Sequence, residues 1–146
     1  YETAKQIISS DSSSYRFDIG NGEQEAQGVI IANGKHYAGR YVAAPKADLE
    51  KPSLEICRMT RSGWVATSGY LMSLALGRLA ERGDYHVSAA TAIDIQGPPG
   101  APLQADGDIL CHLPATINVL PAAIDLIFPR ATPDPDSSHF QEKPAS

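Results

Sequence analysis

The sequence has few cysteines and no excess of positive charge. Its 146 residues include two cysteines, Cys57 and Cys111, and carry a formal net charge of −5. An acidic chain lacks the basic face that a broad nucleic-acid surface needs, which argues against nucleic-acid partners. The two cysteines lie far apart in the sequence and would pair only in an oxidising compartment, so we expect reduced thiols carried on strands.

Segments for membrane insertion or export are also missing. No apolar run approaches the roughly 20 residues that a membrane-spanning helix requires, and Tyr1 does not open a basic and then apolar signal segment. We therefore expect a soluble, cytoplasmic protein. The length and the hydrophobic content of 42% are ordinary for one globular domain with a sizeable core.

Several familiar site motifs do not occur. There is no Gly-x-Ser-x-Gly turn of the kind that presents a hydrolase nucleophile. The four histidines show no metal-ligand spacing with the cysteines, so we expect no zinc site. Strand and helix patterns do not alternate along the chain, so a doubly wound nucleotide-binding sheet is not predicted.

What the sequence does contain is a series of short apolar segments separated by turn formers. Alternating or continuous apolar residues predict strands at 15–19, 28–32, 36–44, 54–59, 85–95 and 124–128 and between Pro114 and Pro121. We expect 28–32 to form a hairpin with 15–19. Loops are predicted where prolines and charges cluster, at 45–53 and 97–100.

One helix is predicted, over residues 68–82. Apolar residues recur there at spacings of three and four, with Thr67 or Ser68 as the N-cap and Gly83 as the stop. We expect its Leu and Met stripe to pack on the sheet, the alternative being a surface offered to a lipid chain or a partner. Trp64, just ahead of the helix, is either a lid or a core anchor.

Many short strands with one principal α-helix predict a mainly β fold. The architecture that fits is an antiparallel β-sandwich or a split barrel. Residues 1–129 form the expected folded domain. Residues 130–146 are rich in Pro, Asp and Ser with little to bury, and we expect a disordered tail.

The most chemically suggestive stretch is the acidic corner Asp106-Gly107-Asp108, between two apolar strands at 103–114. An Asp-Gly step in this setting is a hairpin signal, because Gly tolerates the positive φ that such turns require. Alternation would point both carboxylates to one side, where they could hold a proton or a cation. The alternative is a solvated turn in which Asp is favoured only for its backbone geometry.

Several short motifs follow one another in a specific order. They are Asn33-Gly34-Lys35-His36-Tyr37-Ala38-Gly39, Ala44-Pro45-Lys46-Ala47, the helix, Gln104-Ala105-Asp106-Gly107-Asp108 and a Pro-bracketed Ile-Asn-Val strand. This order resembles the C-terminal domain of the soluble diacylglycerol kinase-like lipid kinases, a group that includes sphingosine and ceramide kinases. The likeness extends over residues 4–129.

The resemblance implies ATP-dependent transfer of the γ-phosphoryl group to a lipid hydroxyl. In that family, ATP and Mg²⁺ are bound mainly by a separate N-terminal domain with a Gly-Gly-Asp-Gly-Thr loop, and no such loop occurs here. Asp108 takes the place of the family's proton-accepting carboxylate, usually Glu, with Asp106 as its neighbour and Gly107 on the cofactor side of the turn. The chain alone is therefore expected to be inactive.

The resemblance also implies a structural Mg²⁺, which the family binds through backbone carbonyls and an Asp-Gly pair. Lys51 and Pro52 stand at those two positions, and a charged lysine cannot ligate a cation. We favour loss of the site. The alternatives are that the Lys51 ammonium replaces the ion, or that Asp48 and Glu50 supply ligands from nearby.

The partners implied are a lipid substrate with a free hydroxyl and the protein's own N-terminal domain. Peripheral contact with a membrane is consistent with such a substrate, and the sheet edges allow a homodimer. The alternative to a kinase domain is a non-catalytic β-sandwich module that binds a lipid or a protein.

Overall fold

The described part of the protein is built on two large antiparallel sheets. The structure, a computed structural model, describes residues 14–37 and 39–125 and the backbone of 4–8. In spatial order, the larger sheet consists of β11 (Asp108–His112), β10 (Pro102–Ala105), β1 (Ala4–Ile8), β4 (Gly28–Ala32), β7 (Leu54–Met59) and β8 (Tyr85–Ala90). The smaller sheet consists of β12 (Ala115–Asn118), β9 (Ala92–Gln96), β2 (Tyr15–Asp18) and β3 (Glu23–Ala26), and a separate ribbon pairs β5 (His36–Tyr37) with β6 (Tyr41–Val42). The predicted mainly β sandwich is confirmed.

The first hydrophobic core lies between the two sheets. The smaller sheet contributes Ile93 and Ile95 of β9, which flank the exposed Asp94, and the larger sheet contributes Ile31 and Ile56. These four isoleucines are at most 1% exposed. Complete burial of such a side chain is worth about 1.5–3 kcal/mol, so this layer holds the two sheets together.

A second core covers the outer face of the larger sheet. It contains Ile30, Cys57 and Tyr85 from the sheet, and its cover is helix α1 (Trp64–Ala75), a 3-10 helix at Leu79–Glu81 and small residues near position 44. Strand β4 is buried on both faces, because Ile31 belongs to the first core and Ile30 to the second. This explains why its sequence is continuously apolar rather than alternating.

Helix α1 begins earlier than predicted. The expected N-cap, Thr67 or Ser68, lies inside the helix, whose first residue is Trp64. Gly63 precedes the first turn with φ +91, and the Thr67 hydroxyl donates a hydrogen bond of 3.1 Å to the Gly63 carbonyl. The prediction of a capping hydroxyl is therefore wrong, since Thr67 bonds backward within the first turn.

Helix α1 also ends earlier than predicted. Gly77 has φ +69 and donates its N–H to the Leu74 carbonyl at 3.0 Å, while the Arg78 N–H donates to the Ser73 carbonyl at 2.8 Å. This pair of bonds is the Schellman motif, which requires a left-handed residue just after the helix. Gly77 therefore terminates the helix, and the predicted stop at Gly83 is wrong.

The predicted hairpin partner of the first strand is also wrong. Strand β2 pairs with β3, whereas Gly28–Ala32 lies in the other sheet between β1 and β7. Strand β3 escapes prediction because it begins Glu-Gln-Glu. It is an edge strand in which Ala26 is the buried residue, and such a strand needs few apolar side chains.

The single strand predicted over 85–95 is two strands in different sheets. The chain crosses from the larger sheet to the smaller one at Thr91, between β8 and β9. Tyr85 consequently belongs to the core under α1, whereas Ile93 and Ile95 fill the core between the sheets. The period-two pattern continues through the crossover, so the pattern alone does not reveal it.

The remaining predicted elements are mostly found. The strand predicted at 54–59 has the observed bounds of β7, and the one predicted at 15–19 is one residue longer than β2. The strand predicted between the prolines is β12, and the predicted loops at 45–53 and 97–100 contain no strand or helix. The segment 36–44 is divided into β5 and β6 by a turn at Gly39-Arg40. Of the strand predicted at 124–128, Ile124 and Asp125 are not in a strand. Residues 126–128 and the predicted tail lie outside the described residues.

Candidate functional site

The acidic corner is a two-residue turn at one edge of the larger sheet. Asp106 has φ +52 and Gly107 has φ +95, and Ala105 pairs with Asp108 across the turn. Two successive left-handed residues give the turn type that matches the twist of a hairpin, and Asp-Gly favours that type strongly. The predicted hairpin is confirmed, and Asp108 is the first residue of β11.

Both carboxylates of the corner are exposed to solvent. No side chain of residues 14–37 or 39–125 forms a hydrogen bond or ion pair with either of them. Strand alternation does not apply to Asp106, because it lies in the turn rather than in β11. Asp108 has the better fixed backbone of the two, since it is the first residue of β11 and pairs with Ala105.

The base of the hairpin is buried and its tip is not. Leu103 is 1% exposed, and Cys111 packs against the same core. Nearer the turn, Ile109 and Leu110 are each 60% exposed, although neighbouring residues of a strand face opposite sides. A strand exposed on both faces projects beyond the sheet packed against it. Asp108 therefore stands on a protruding edge with apolar side chains beside it.

The loop that contains Lys51 holds an ion pair where the resemblance implies a structural Mg²⁺. Lys51 Nζ lies 3.5 Å from Asp48 Oδ2, and Asp48 Oδ1 accepts a hydrogen bond of 3.1 Å from the Glu50 N–H. The Glu50 N–H, with a further contribution from Lys51, lowers the pKa of Asp48. In the described part of the chain no three His, Cys, Asp or Glu side chains converge as a metal site. Both Asp48 oxygens are already engaged, by the Lys51 ammonium and by the Glu50 N–H, so this loop does not fit the ion.

The outer face of α1 is apolar and uncovered. Tyr70 is the buried residue of this helix. Trp64 is 81% exposed, Leu71 60% and Met72 62%. The expectation that the Leu and Met stripe packs on the sheet is confirmed for Leu74 and Leu79 but is wrong for Met72 and Leu76, and Trp64 is not a core anchor. One signal could have revealed this, because residues 62–77 contain no charged side chain and a helix with one solvated face normally carries charges there.

Tyr70 fastens α1 to the sheet. Its hydroxyl donates a hydrogen bond of 3.1 Å to the Asp84 carbonyl and accepts one of 3.3 Å from the Arg61 N–H. The Arg82 guanidinium lies over the ring, 4.7 Å from its centroid. Gly69 permits this approach, since a Cβ at that position would lie 3.1 Å from Arg82 Nη1.

A small apolar cavity of about 80 Å³ lies between α1 and the larger sheet. Its apolar walls are formed by Ile30, Met59, Tyr70, Leu71, Leu74 and Leu79. Leu71 lines the cavity and is also 60% exposed, so the cavity opens beside the outer face of the helix.

Both cysteines are free and lie on strands, as predicted. Burial raises the pKa of the Cys57 thiol to about 12. Its Sγ donates to the Ala43 carbonyl at 3.8 Å, and the same oxygen accepts a hydrogen bond of 2.9 Å from the Tyr85 hydroxyl. Cys57 is therefore a protonated packing residue rather than a nucleophile.

The sandwich and its covering helix correspond to a known family of domains. Residues 1–128 match the family model described as the YegS C-terminal NAD kinase beta sandwich-like domain. The chain belongs to this family, which confirms the resemblance seen in the motifs. None of the helices in the described residues is long and apolar enough to cross a membrane.

Similar proteins include two that are named diacylglycerol kinase. Two, from the CDC 1551 and H37Rv strains of Mycobacterium tuberculosis, are each 28% identical over 100 residues, covering 68% of this chain and 32% of the relative. This chain thus spans about a third of their length. A solved diacylglycerol kinase structure from Bacillus anthracis has a TM-score of 0.61 and 21% identity over 78% of this chain and 40% of that one, and it shares the fold.

Proposed function

We propose that this chain is the lipid-side domain of a two-domain kinase that transfers the γ-phosphoryl group of ATP to the hydroxyl of a diacylglycerol-like lipid. The observation that carries the proposal is the placement of Asp108, an exposed carboxylate at the first residue of a projecting edge strand. The family membership and the names of the relatives support the reaction class.

In this proposal Asp108 is the general base. As the lipid oxygen attacks the γ-phosphorus, the lipid O–H bond breaks, its proton passes to the Asp108 carboxylate, and ADP leaves with the electrons of the broken P–O bond. Asp106 is the neighbouring carboxylate of the same turn in this proposal. When bound, Mg²⁺ would neutralise part of the phosphate charge. We assign both Mg²⁺ and ATP to the N-terminal domain.

Gly107 is proposed to face the nucleotide side of the turn. Its φ of +95 is a conformation that residues with a Cβ rarely adopt, and a Cβ there would meet nothing within 4 Å. The open space leaves this backbone accessible to a bulky phosphate or to the other domain. Glycine at this position thus serves both the turn geometry and the approach of a ligand.

The apolar part of the lipid is assigned to the cavity under α1. Its walls are apolar and it opens next to Leu71, but its volume of about 80 Å³ is small for an acyl chain. Ligand pockets usually measure about 300–1,000 Å³, so α1 must move outward for the chain to enter.

The protein's own N-terminal domain is the proposed partner at the hairpin. Ile109 and Leu110 follow the base along β11, and each is 60% exposed in the described chain. Apolar side chains around an exposed carboxylate suit a cleft that closes against a second domain and excludes water. The isolated chain is accordingly expected to transfer no phosphate.

The test is an ATP-dependent phosphorylation screen with the full-length protein over diacylglycerol, monoacylglycerol, phosphatidylglycerol, sphingosine and ceramide. We expect phosphorylation of a diacylglycerol-like alcohol and its loss by about 10²-fold or more in Asp108→Asn, since general bases contribute this much. Glu25→Gln, which neutralises an exposed carboxylate on β3, is the matched control and should retain activity. Unchanged turnover in Asp108→Asn with a folded protein removes Asp108 from the mechanism.

The second candidate is a non-catalytic module that binds lipid. The uncovered apolar face of α1 favours it, because such a face suits a lipid without any chemistry. Lipid binding by a full-length protein that phosphorylates none of the five alcohols would favour this candidate over the kinase.

A further inference from the structure

The loop between β6 and β7 is fixed to the second core at its start. Ala43, Ala44 and Ala47 are at most 3% exposed and belong to that core. The N–H groups of Ala43 and Ala44 both donate to the Lys35 carbonyl, at 3.2 and 3.3 Å. The Ala47 N–H donates to the Ala44 carbonyl at 3.1 Å. The shape of the remaining residues, 48–53, therefore depends on their own contacts.

Asp48 closes this second half of the loop through all three of its oxygen atoms. Its carbonyl accepts the Lys51 N–H at 3.1 Å, and its Oδ1 accepts the Glu50 N–H at 3.1 Å. Its Oδ2 lies 3.5 Å from the Lys51 ammonium. The Glu50 N–H, followed by the charges of Lys51 and Lys35, lowers the pKa of Asp48. Every oxygen of Asp48 thus has a partner within the chain itself.

The charge at position 51 matches that of a carboxylate with a bound divalent ion. In the resembled family an Asp stands at this position and binds Mg²⁺, so the side chain and the ion together carry one positive charge. The Lys51 ammonium carries one positive charge on its own. The exchange of Asp for Lys therefore adds the two charges that Mg²⁺ would bring.

Pro52 restrains the loop in a second way. Its ring fixes φ at about −65°, so the backbone cannot adopt the left-handed conformation that the family's glycine permits. A proline also reduces the freedom that the unfolded chain loses on folding. Pro52 thus restrains by covalent means a loop that an ion would restrain by coordination.

The loop lies at the same end of the larger sheet as the acidic corner. The strand registers show this, with Ala32 paired to Ala4 and Glu55, and Lys5 paired to Ala105. The loop before β7 and the turn after β10 are therefore separated at this end only by β1 and β4. Residues 49–53 also line a cleft of about 610 Å³, so the shape of the loop determines one wall of that cleft.

We infer that the Lys51 ammonium is the resident cation of this loop and that the domain folds without a structural Mg²⁺. Lys51 neutralises Asp48 and ties the loop to it, as a divalent ion does when it bridges its ligands. Mg²⁺ then serves the nucleotide alone, a consequence that rests on the proposed kinase function. The assignment of the resident cation does not rest on it.

The first experiment measures thermal unfolding of the 146-residue chain by circular dichroism, in excess EDTA and in excess MgCl₂ at equal ionic strength. We expect equal unfolding midpoints, because a ligand raises the midpoint only if it binds the folded state in preference to the unfolded one. CaCl₂ should likewise have no effect. A midpoint raised by either ion would overturn the inference.

The second experiment removes the charge of Lys51 and keeps its apolar stem. Lys51→Met should lower the midpoint by about 1–4 °C at low salt, since an exposed ion pair contributes modestly. The two side chains are 62% and 40% exposed, so the difference should vanish in concentrated NaCl. Lys46→Met is the control, because Lys46 is exposed in the same loop and forms no ion pair within the described residues. A midpoint of Lys51→Met equal to that of the unaltered chain at low salt would contradict the assignment.

The third experiment exchanges the resident cation for a metal ligand. Lys51→Asp/Pro52→Gly restores the Asp-Gly pair of the resembled family, and its midpoint should be lowered in EDTA and raised again by about 2 °C or more in MgCl₂. The matched control is Pro45→Gly/Lys46→Asp, which makes the same two exchanges at exposed positions of the same loop. Its midpoint should not respond to MgCl₂. No rise in the first variant, or an equal rise in both, would refute the equivalence of the ammonium and the ion.

All these midpoints are measured without ATP or lipid, so they test the resident cation separately from the reaction. Absence of phosphorylation in the lipid screen would reject the kinase proposal and leave the resident cation standing. A midpoint of the unaltered chain raised by Mg²⁺ would reject the resident cation and leave the kinase proposal standing.

Discussion

Arg82 and Asp84 form a two-point ion pair at the foot of α1. The Nε and Nη2 atoms of Arg82 each lie 2.8 Å from one carboxylate oxygen of Asp84, and the two side chains are 25% and 15% exposed. The same guanidinium lies over the ring of Tyr70, so the pair joins the start of β8 to the helix. The neighbouring pair of Arg78 and Glu81 is equally short but lies in solvent.

The first prediction concerns these two pairs. Asp84→Asn should lower the free energy of unfolding by about 1–3 kcal/mol, because it breaks a sheltered, charge-assisted pair. Glu81→Gln, which breaks the solvated pair, should cause little or no change. Urea unfolding followed by circular dichroism measures both. Equal losses would show that shelter from solvent does not set the strength of the Arg82–Asp84 pair.

The same pair predicts a dependence of stability on acid. Bonding to Arg82 lowers the pKa of Asp84 below its ordinary value of 3.8. The stabilisation is therefore complete above that value and is lost as the pH falls through the lower folded pKa. Below pH 4 the unaltered protein should lose its advantage over Asp84→Asn, so that their unfolding midpoints converge. A constant difference down to pH 2 would contradict the assignment.

A further prediction concerns Gly97, at the end of β9. A Cβ there would lie 2.7 Å from Leu113 Cδ1 and 2.8 Å from Tyr15 Cδ1, and both side chains are buried. Gly97→Ala should therefore cost about 1–3 kcal/mol through overpacking. Gly83→Ala is the control, since a Cβ there meets nothing within 4 Å and φ is not positive. Similar unfolding midpoints for the two variants would mean that the core shifts to admit the methyl group.

The two cysteines should differ in reactivity. Cys57 is fully buried with a pKa raised to about 12, whereas Cys111 is partly exposed on an edge strand. Since the thiolate is the reactive species, a disulfide reagent at pH 8 should modify one thiol per folded chain and the second only after denaturation. In Cys111→Ser the rapid reaction should disappear. Two rapid thiols in the folded protein would contradict the burial of Cys57.

The length of the side chain at position 108 provides a test of geometry. Glu is usual in the resembled family, and replacing Asp108 with Glu moves the carboxylate by about 1.5 Å, one C–C bond length. If this cleft is shaped for Asp, Asp108→Glu should lower kcat by about tenfold to a hundredfold, because misplacement of about 1 Å is costly. The measurement is the kcat of lipid phosphorylation by the full-length protein and by its Asp108→Glu variant. A kcat equal to or above that of the unaltered enzyme would show that the cleft fits either carboxylate.

Local sequence patterns predicted much of the sandwich. The strand at 54–59 and the turn at Asp106-Gly107 depend on side-chain alternation and on left-handed backbone, which neighbouring residues determine. The membership of a strand in a sheet depends on distant contacts. Strand β3, with Glu23 and Glu25 facing solvent, and the crossover at Thr91 therefore could not be predicted from local periodicity.

In the candidate site too, some features depend on local sequence and others on distant contacts. The turn at Asp106-Gly107 follows from local sequence, whereas the role proposed for Asp108 rests on the family resemblance. The exposure of Ile109 and Leu110 depends on tertiary packing. The apolar residues of α1 fit a packed helix equally well by spacing alone. Only the lack of any charge between residues 62 and 77 distinguishes an uncovered face, and that signal is an absence rather than a motif.

Strand β4 couples the stability of the two hydrophobic cores. Because Ile30 and Ile31 of that strand belong to opposite cores, the helix layer and the sandwich share one backbone segment. Loss of the layer that carries Tyr70 would strip cover from the strand at the centre of the larger sheet. An outward movement of α1 of the kind proposed for lipid entry would therefore leave β4 covered only if the Tyr70 hydroxyl kept its hydrogen bond to the Asp84 carbonyl.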